Sequence, residues 1–254
     1  MGALHAGHAA LIDHARRVAG PRGLVVVSIF VNPTQFGPKE DFSRYPRTLA
    51  ADQTLCAEHG ADAIFCPGAA EMYPADFSTW VNEESVSAPL CGASRPGHFR
   101  GVCTVVLKLF TLVQPAAAVF GLKDFQQCAV FRQMVRDLNL PVRIVAAPTV
   151  RERDGLALSS RNRFLDAEER AQAPVLRRAL LAAQAAFRGG EKRAGKLRAL
   201  VLKKIAAAPL ARVDYVEVRD ADTLGEIKTV RRNCVIALAV FFGKTRLIDN
   251  LWLR

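Results

Sequence analysis

The chain has 254 residues, half of them apolar and 23% charged, with no low-complexity run; this excludes a disordered tail and allows one large domain or two smaller ones. No apolar stretch approaches the roughly 18 residues of a bilayer-spanning helix, and no basic region followed by an apolar run opens the chain, so a cytoplasmic protein without a membrane partner is expected. The net charge of +11 is uneven: residues 175–254 hold 17 Lys and Arg against 7 Asp and Glu, residues 1–174 hold 18 against 17.

In chain order, MGALHAGH leads into a helix over His8 to Ala19, and LVVVSIFVN (Leu24 to Asn32) is a β-branched run without alternation, as expected of a strand buried on both faces. Pro46 to His59 reads as a helix, ADAIFCP (Ala61 to Pro67) as a strand and Gly101 to Val113 as a helix. PAAAVFG (Pro115 to Gly121), a helix over Asp124 to Leu138, and VRIVAAP (Val142 to Pro148) continue the order. Strand and helix alternate, which predicts an α/β fold with a mostly parallel, doubly wound sheet whose ligands bind beyond the carboxyl ends of its strands.

After Pro148 the rhythm changes. Asp166 to Phe187 and Glu191 to Ala208 read as two long helices separated by Gly189-Gly190, followed by the strand-like runs VDYVEVRD, NCVIALAVFFG and TRLIDNLWL. Alternation in the first of these suggests a half-exposed antiparallel sheet. A boundary near residue 150 is expected, with a Rossmann-like domain over 1–150 and a smaller α+β domain over 151–254 that contributes the LSSRN loop. The C-terminal charge excess falls on RGGEKRAGKLRALVLKKIAAA, the solvated face of an amphipathic helix, so no nucleic-acid partner is expected. The six cysteines show no C-x-x-C spacing and read as small buried thiols, with no metal or disulfide expected.

Unusual polar residues collect where strands give way to helices. His5 and His8 flank Gly7 at a helix start, where unpaired N–H groups and the helix dipole favour a phosphate, and Gly2 and Gly7 let the backbone approach it. A metal pair would need a third ligand and two histidines on one helical face, and no such pattern occurs. Asn32 and Gln35 follow the first strand. Lys123, Asp124 and Gln127 follow the strand ending near Phe120, and Asp124 can bind a nucleotide hydroxyl or cap its helix. Ser159, Ser160 and Arg161 offer two hydroxyls and a bidentate guanidinium to a triphosphate. SRPGHFRG places Arg95, His98 and Arg100 in a loop suited to anion binding or gating.

Together MGALHAGH, SIFVNPTQF, RYPRTL, SRPGHFRGV, VFGLKDFQQ, DGLALSSRN, RDADTL and RLIDN resemble, in order and across the whole chain, the motif set of the pantothenate synthetases (pantoate:β-alanine ligases). The resemblance implies adenylation of the pantoate carboxylate by ATP with release of pyrophosphate, then attack by β-alanine to give pantothenate and AMP. It implies Mg2+ with the ATP, no tightly bound cofactor, and a homodimer. ATP contacts carry over to Met1, Gly2, Ala3, Leu4, His5, Ala6, Gly7 and His8, to Gly121, Leu122, Lys123 and Asp124, and to Val150, Leu158, Ser159, Ser160 and Arg161. His8 is the proton donor of this set, with His5, Lys123 and Arg161 as catalytic partners. Gln35 and Gln127 match pantoate and β-alanine contacts, joined by Asn32.

A nucleotidyl transferase acting on a different acid or alcohol is one alternative, against which Gln35, Gln127 and the SRPGHFRG loop speak; a basic nucleic-acid-binding module using the C-terminal charge excess is the other, and it requires tight, strongly salt-dependent binding. Two departures from the family stand out. Leu122 replaces a usually polar residue, and relatives carry further residues ahead of this methionine, including a strand ending in Pro-Thr. A chain lacking that strand is expected to leave its neighbouring strands without ladder partners and to be less stable and less active.

Overall fold

A computed structural model describes residues 2–37, 42 and 46–253. Arg44 and Tyr45 of RYPRTL and the proposed ATP contact Met1 lie outside them. The chain forms two compact units: Met1–Leu122 with Val130–Pro148, and Lys123–Ala129 with Thr149–Arg254. The short run Lys123–Ala129 thus packs with the later part of the chain.

In the first unit, α1 (Ala6–Ala19) is ended by Gly20, whose positive φ of 67° suits a residue without a Cβ. β1 (Val26–Ser28) pairs in parallel with β2 (Ala63–Phe65), and β3 (Ala117–Gly121) pairs in parallel with β4 (Arg143–Ala147). The strand-helix order is the expected one, with α2 (Leu49–Glu58), α5 (His98–Val113) and α6 (Phe125–Asp137) between strands, and short turns α3 (Ala69–Met72) and α4 (Cys91–Ser94) added. The ladder is in two pairs, however, with no described strand hydrogen-bonded to both.

The reading of Leu24 to Asn32 as buried on both faces is corrected. Val25, Val27 and Ile29 are buried on Ile12 and Cys56, whereas Leu24 is 79% and Val26 41% exposed. An uninterrupted apolar run carries no alternation from which this open face could be read. Asp62 fastens the start of β1, accepting from the Val25 N–H at 2.7 Å and from Arg16. The Val25 N–H and then Arg16 hold its carboxyl below the usual carboxylate range.

Gly101 fixes how α5 meets the turn Pro33–Gln35. A Cβ there would lie 2.3 Å from the Thr34 carbonyl oxygen, so only glycine lets the helix backbone come this close.

In the second unit the long helix expected over Asp166 to Phe187 is two: α7 (Ala167–Gln172) and α8 (Val175–Arg188). Pro174 breaks it, because proline has no N–H to donate and its ring collides with the preceding turn. Asp166 and Glu169 cap α7 reciprocally. α8 buries Leu176, Ala179, Leu180, Ala183 and Phe187, the stride of one helical face, and α9 (Ala194–Ile205) buries Leu197, Val201 and Ile205. Both contribute to one core with the antiparallel sheet β5 (Ala211–Asp220), β6 (Cys234–Phe242) and β7 (Thr245–Leu253), ordered β5-β6-β7. The central strand β6 is buried almost throughout, while β7 alternates.

Of the six cysteines, Cys66 is exposed and the other five are buried; all are free thiols. Burial, with Glu83 nearby, pushes the Cys103 thiol up to about 12. No helix among the described residues is long and apolar enough to cross a membrane.

Candidate active site

The turn Gly2–His5 is held in an uncommon shape, with φ of 151° at Gly2 and 48° at Ala3. A buried carboxylate fixes it. Asp52 of α2, 2% exposed, accepts from the Ala3 N–H at 3.0 Å, the Leu4 N–H at 2.8 Å and the Thr48 hydroxyl at 3.0 Å. Nothing in RTLAADQ marks Asp52 as different from any acidic residue of a helix; the role depends on a contact 49 residues away in sequence.

His5 is the N-cap of α1. Its Nδ1 accepts from the Gly7 N–H at 3.1 Å, and Nδ1 of His8 accepts from the His5 N–H at 3.3 Å. The rings lie 4.1 Å apart, centre to centre. The His8 and Ala9 N–H groups bond the His5 carbonyl at 2.7 and 3.1 Å. The Gly7, His8 and Ala9 N–H groups at this helix start are thus already engaged. Since each neutral ring accepts through Nδ1, its proton sits on Nε2, which makes both Nε2–H groups the donors of the motif.

Asn32 and Gln35 meet in the same unit. Asn32 is 2% exposed; its Nδ2 donates to Gln35 Oε1 at 3.3 Å and to the Gly101 carbonyl at 3.2 Å, and its Oδ1 accepts from the Thr34 hydroxyl at 3.0 Å. Arg95 and His98 of SRPGHFRG reach the same turn. The Gln35 carbonyl accepts from His98 Nδ1 at 2.9 Å and from Arg95 Nη2 at 3.3 Å, so the loop steadies the Gln35 backbone. Arg100 instead lies over the Trp80 ring, 4.4 Å from its centre.

In the second unit, Lys123 Nζ lies 3.9 Å from the half-exposed Asp124 carboxylate. The Lys123 carbonyl accepts from Asn250 Nδ2 at 2.9 Å, and Phe125 packs edge-on against Trp252 at 5.5 Å. RLIDN thus supports the Lys123 turn, and Gln127 is two residues further along α6. Val150 and Leu158 open and close a hairpin, with the Leu158 N–H on the Val150 carbonyl at 3.0 Å and the Glu152 N–H on the Leu156 carbonyl at 2.8 Å. Ser159 caps the following 3-10 turn Ser160–Phe164, accepting from the Arg161 N–H. Arg151 makes a bidentate pair with the buried Asp249 at 2.7 and 2.8 Å. Gly121 and Leu122 close the first unit's share of VFGLKD, at the end of β3.

Among the described residues no group of three or more His, Cys, Asp or Glu is placed to hold a metal.

Comparison with known proteins gives a consistent result. The family pattern described as pantoate-beta-alanine ligase matches residues 1–252. The pantothenate synthetase of Herpetosiphon aurantiacus is 54% identical over 252 residues, covering 99% of this chain and 90% of the relative. That of Moorella thermoacetica is 53% identical over 254 residues, covering 100% and 89%. The crystal structure of pantothenate synthetase from Thermus thermophilus superposes with a TM-score of 0.94 at 50% identity, covering 99% of this chain and 90% of that one. A pantoate-beta-alanine ligase from Francisella tularensis, complexed with beta-gamma ATP and beta-alanine, matches with a TM-score of 0.77 at 32% identity, covering 99% and 87%.

Proposed function

Because this chain belongs to the pantoate–β-alanine ligase family, we propose that it runs its ATP-dependent ligation through a pantoyl adenylate, with roles divided among the residues described above. It is an enzyme that joins pantoate to β-alanine with ATP in pantothenate biosynthesis. The observation that carries the proposed mechanism is the pair of imidazoles whose Nδ1 atoms are fixed on backbone N–H groups, since this aims two Nε2–H donors from one helix start.

A carboxylate is a poor electrophile. A pantoate carboxylate oxygen attacks the α-phosphorus of ATP, the bond to the β-phosphate oxygen breaks, and pyrophosphate leaves. The β-alanine amine then attacks the acyl carbon, and AMP departs with the oxygen that came from pantoate. His8 donates toward the charge that grows on the departing pyrophosphate, with His5 beside it, and Lys123 and Arg161 neutralise phosphate oxygens. Gly2, Ala3, Leu4, Ala6 and Gly7 give the nucleotide a close backbone surface. Gly121, Leu122, Asp124, Val150, Leu158, Ser159 and Ser160 complete the ATP contacts, with ATP entering as its magnesium complex. Asn32, Gln35 and Gln127 bind pantoate, whose hydroxyls and carboxylate call for amide donors and acceptors. A cytoplasmic setting is part of the same proposal. The homodimer belongs to the reading through the family resemblance alone.

Pantoate labelled with 18O in its carboxylate tests the route: one label is expected in AMP. Label retained only in pantothenate would rule out the acyl adenylate. Gln35→Ala is expected to raise KM for pantoate by about ten-fold or more, consistent with losing a buried hydrogen bond, and to leave KM for ATP nearly unchanged. Steady-state kinetics with each substrate varied checks this, and equal damage to both would move Gln35 out of the pantoate site.

A further inference from the structure

We propose that Asn162 is a positioning residue for the run Leu158–Arg161, acting through a brace made of Glu152 and Arg170. The inference rests on the reading of that run as an ATP contact. Asn162 lies one residue beyond Arg161 in the 3-10 turn Ser160–Phe164. Its Nδ2 donates to Glu152 Oε1 at 2.7 Å and to the Ala157 carbonyl at 3.1 Å, and so ties the turn to both arms of the hairpin that precedes it. Both partners are acceptors, which fixes the amide orientation and leaves Oδ1 facing the other way.

The tie continues outward. The second carboxylate oxygen of Glu152 accepts from Arg170 Nη2 at 2.6 Å, and Arg170 Nη1 donates to Asp154 Oδ2 at 2.6 Å. One guanidinium of α7 therefore holds the hairpin arm through Glu152 and the hairpin tip through Asp154. These bonds also raise the Arg170 pKa, through Asp154 first and Glu152 second.

Asn162 Oδ1 is buried with no hydrogen-bond partner. An orphaned buried acceptor is unfavourable, and an apolar side chain of similar size would avoid the penalty if packing were all that the position served. An amide is retained where its two donor bonds set the path of the chain, and the next residues back are Arg161, Ser160 and Ser159. A clamp on a triphosphate needs its hydroxyls and guanidinium held in place, because a displacement of about 1 Å in a positioning element can lower a rate by about 100-fold.

The test uses Asn162→Asp, which sets a carboxylate against Glu152 and removes the donor to Ala157. Adenylation measured in a single turnover is expected to slow by about 10- to 100-fold, with KM for ATP raised. Aminolysis of supplied pantoyl adenylate is expected to stay within about two-fold, because the adenylate has already lost the β- and γ-phosphates. That second rate also reports the folded fraction. Adding Glu152→Gln restores a donor–acceptor pair, with the glutamine amide donating to the introduced carboxylate and its oxygen accepting from Arg170, and should recover most of the loss.

A parallel fall in both half-reactions would overturn the assignment, as would a double variant no better than the single one. Arg161→Ala separates this idea from the reading it rests on. Unchanged ATP use in Arg161→Ala would remove the ATP role of the run. Impaired ATP use in Arg161→Ala with normal ATP use in Asn162→Asp would remove only the brace.

Discussion

Replacing His8 by alanine is expected to slow adenylation by roughly 100- to 1000-fold, about 3 to 4 kcal/mol of barrier, the usual worth of one positioned donor facing charge in a transition state. The loss has two sources, and they can be separated. His8 Nδ1 also accepts from the His5 N–H, a capping contact, and a cap removed from a helix start costs about 0.5 to 2 kcal/mol of stability. His8→Asn keeps an acceptor near the position of Nδ1 and lacks the Nε2–H donor. It should therefore be as slow as His8→Ala and more stable. His8→Gln, which reaches toward the Nε2 position, should recover part of the rate. Single-turnover pyrophosphate release beside thermal unfolding makes the comparison, and an Asn variant within about three-fold of the parent would end the donor role of His8.

The largest effect on stability is expected at Asp249→Ala, about 3 to 5 kcal/mol, because it breaks a buried ion pair and leaves a guanidinium uncompensated. Asp249 is 3% exposed and holds both terminal nitrogens of Arg151, and its Oδ1 also accepts from the Asn250 N–H at 2.8 Å. Arg177 stands in the same environment. Burial lowers its pKa, the neighbouring Arg151 lowers it further, and Asp249 opposes both. Without the carboxylate, two guanidiniums face each other in a half-buried region. An unfolding midpoint lower by on the order of 10 °C follows for a unit of this size. Replacing both members of the pair, with Arg151→Met and Asp249→Leu, should recover part of that loss, since the unpaired charge is the main penalty. A single variant within about 1 kcal/mol of the parent in denaturant unfolding would show that the pair is only a surface contact.

The chain order of strands and helices, the antiparallel sheet at the end and the family's motif set are legible in the sequence because each depends on local spacing. A glycine between two histidines at a helix start, a β-branched run, and a periodic stripe such as Leu176, Leu180 and Phe187 state their structure within a few residues. The break at Pro174 is equally local and lies in plain sight in AQAPVL, yet the strong apolar stride on either side of it suggests one continuous helix.

Contacts between residues far apart in sequence came from the folded chain. Asp52 became the anchor of the Gly2–His5 turn, Arg95 and His98 became supports of the Gln35 backbone 60 and 63 residues away, and Asn250 reached the Lys123 carbonyl across 127 residues. Charge type and local period are the same for an Asp that faces water and one that takes two backbone N–H groups in the core. The open face of β1 was hidden for the same reason: Val26 and Val27 are identical side chains, and burial differs because Val27 faces Ile12 and Cys56 while Val26 is left uncovered. Local sequence fixes which groups can donate, accept or pack, whereas the fold decides which partner each one meets.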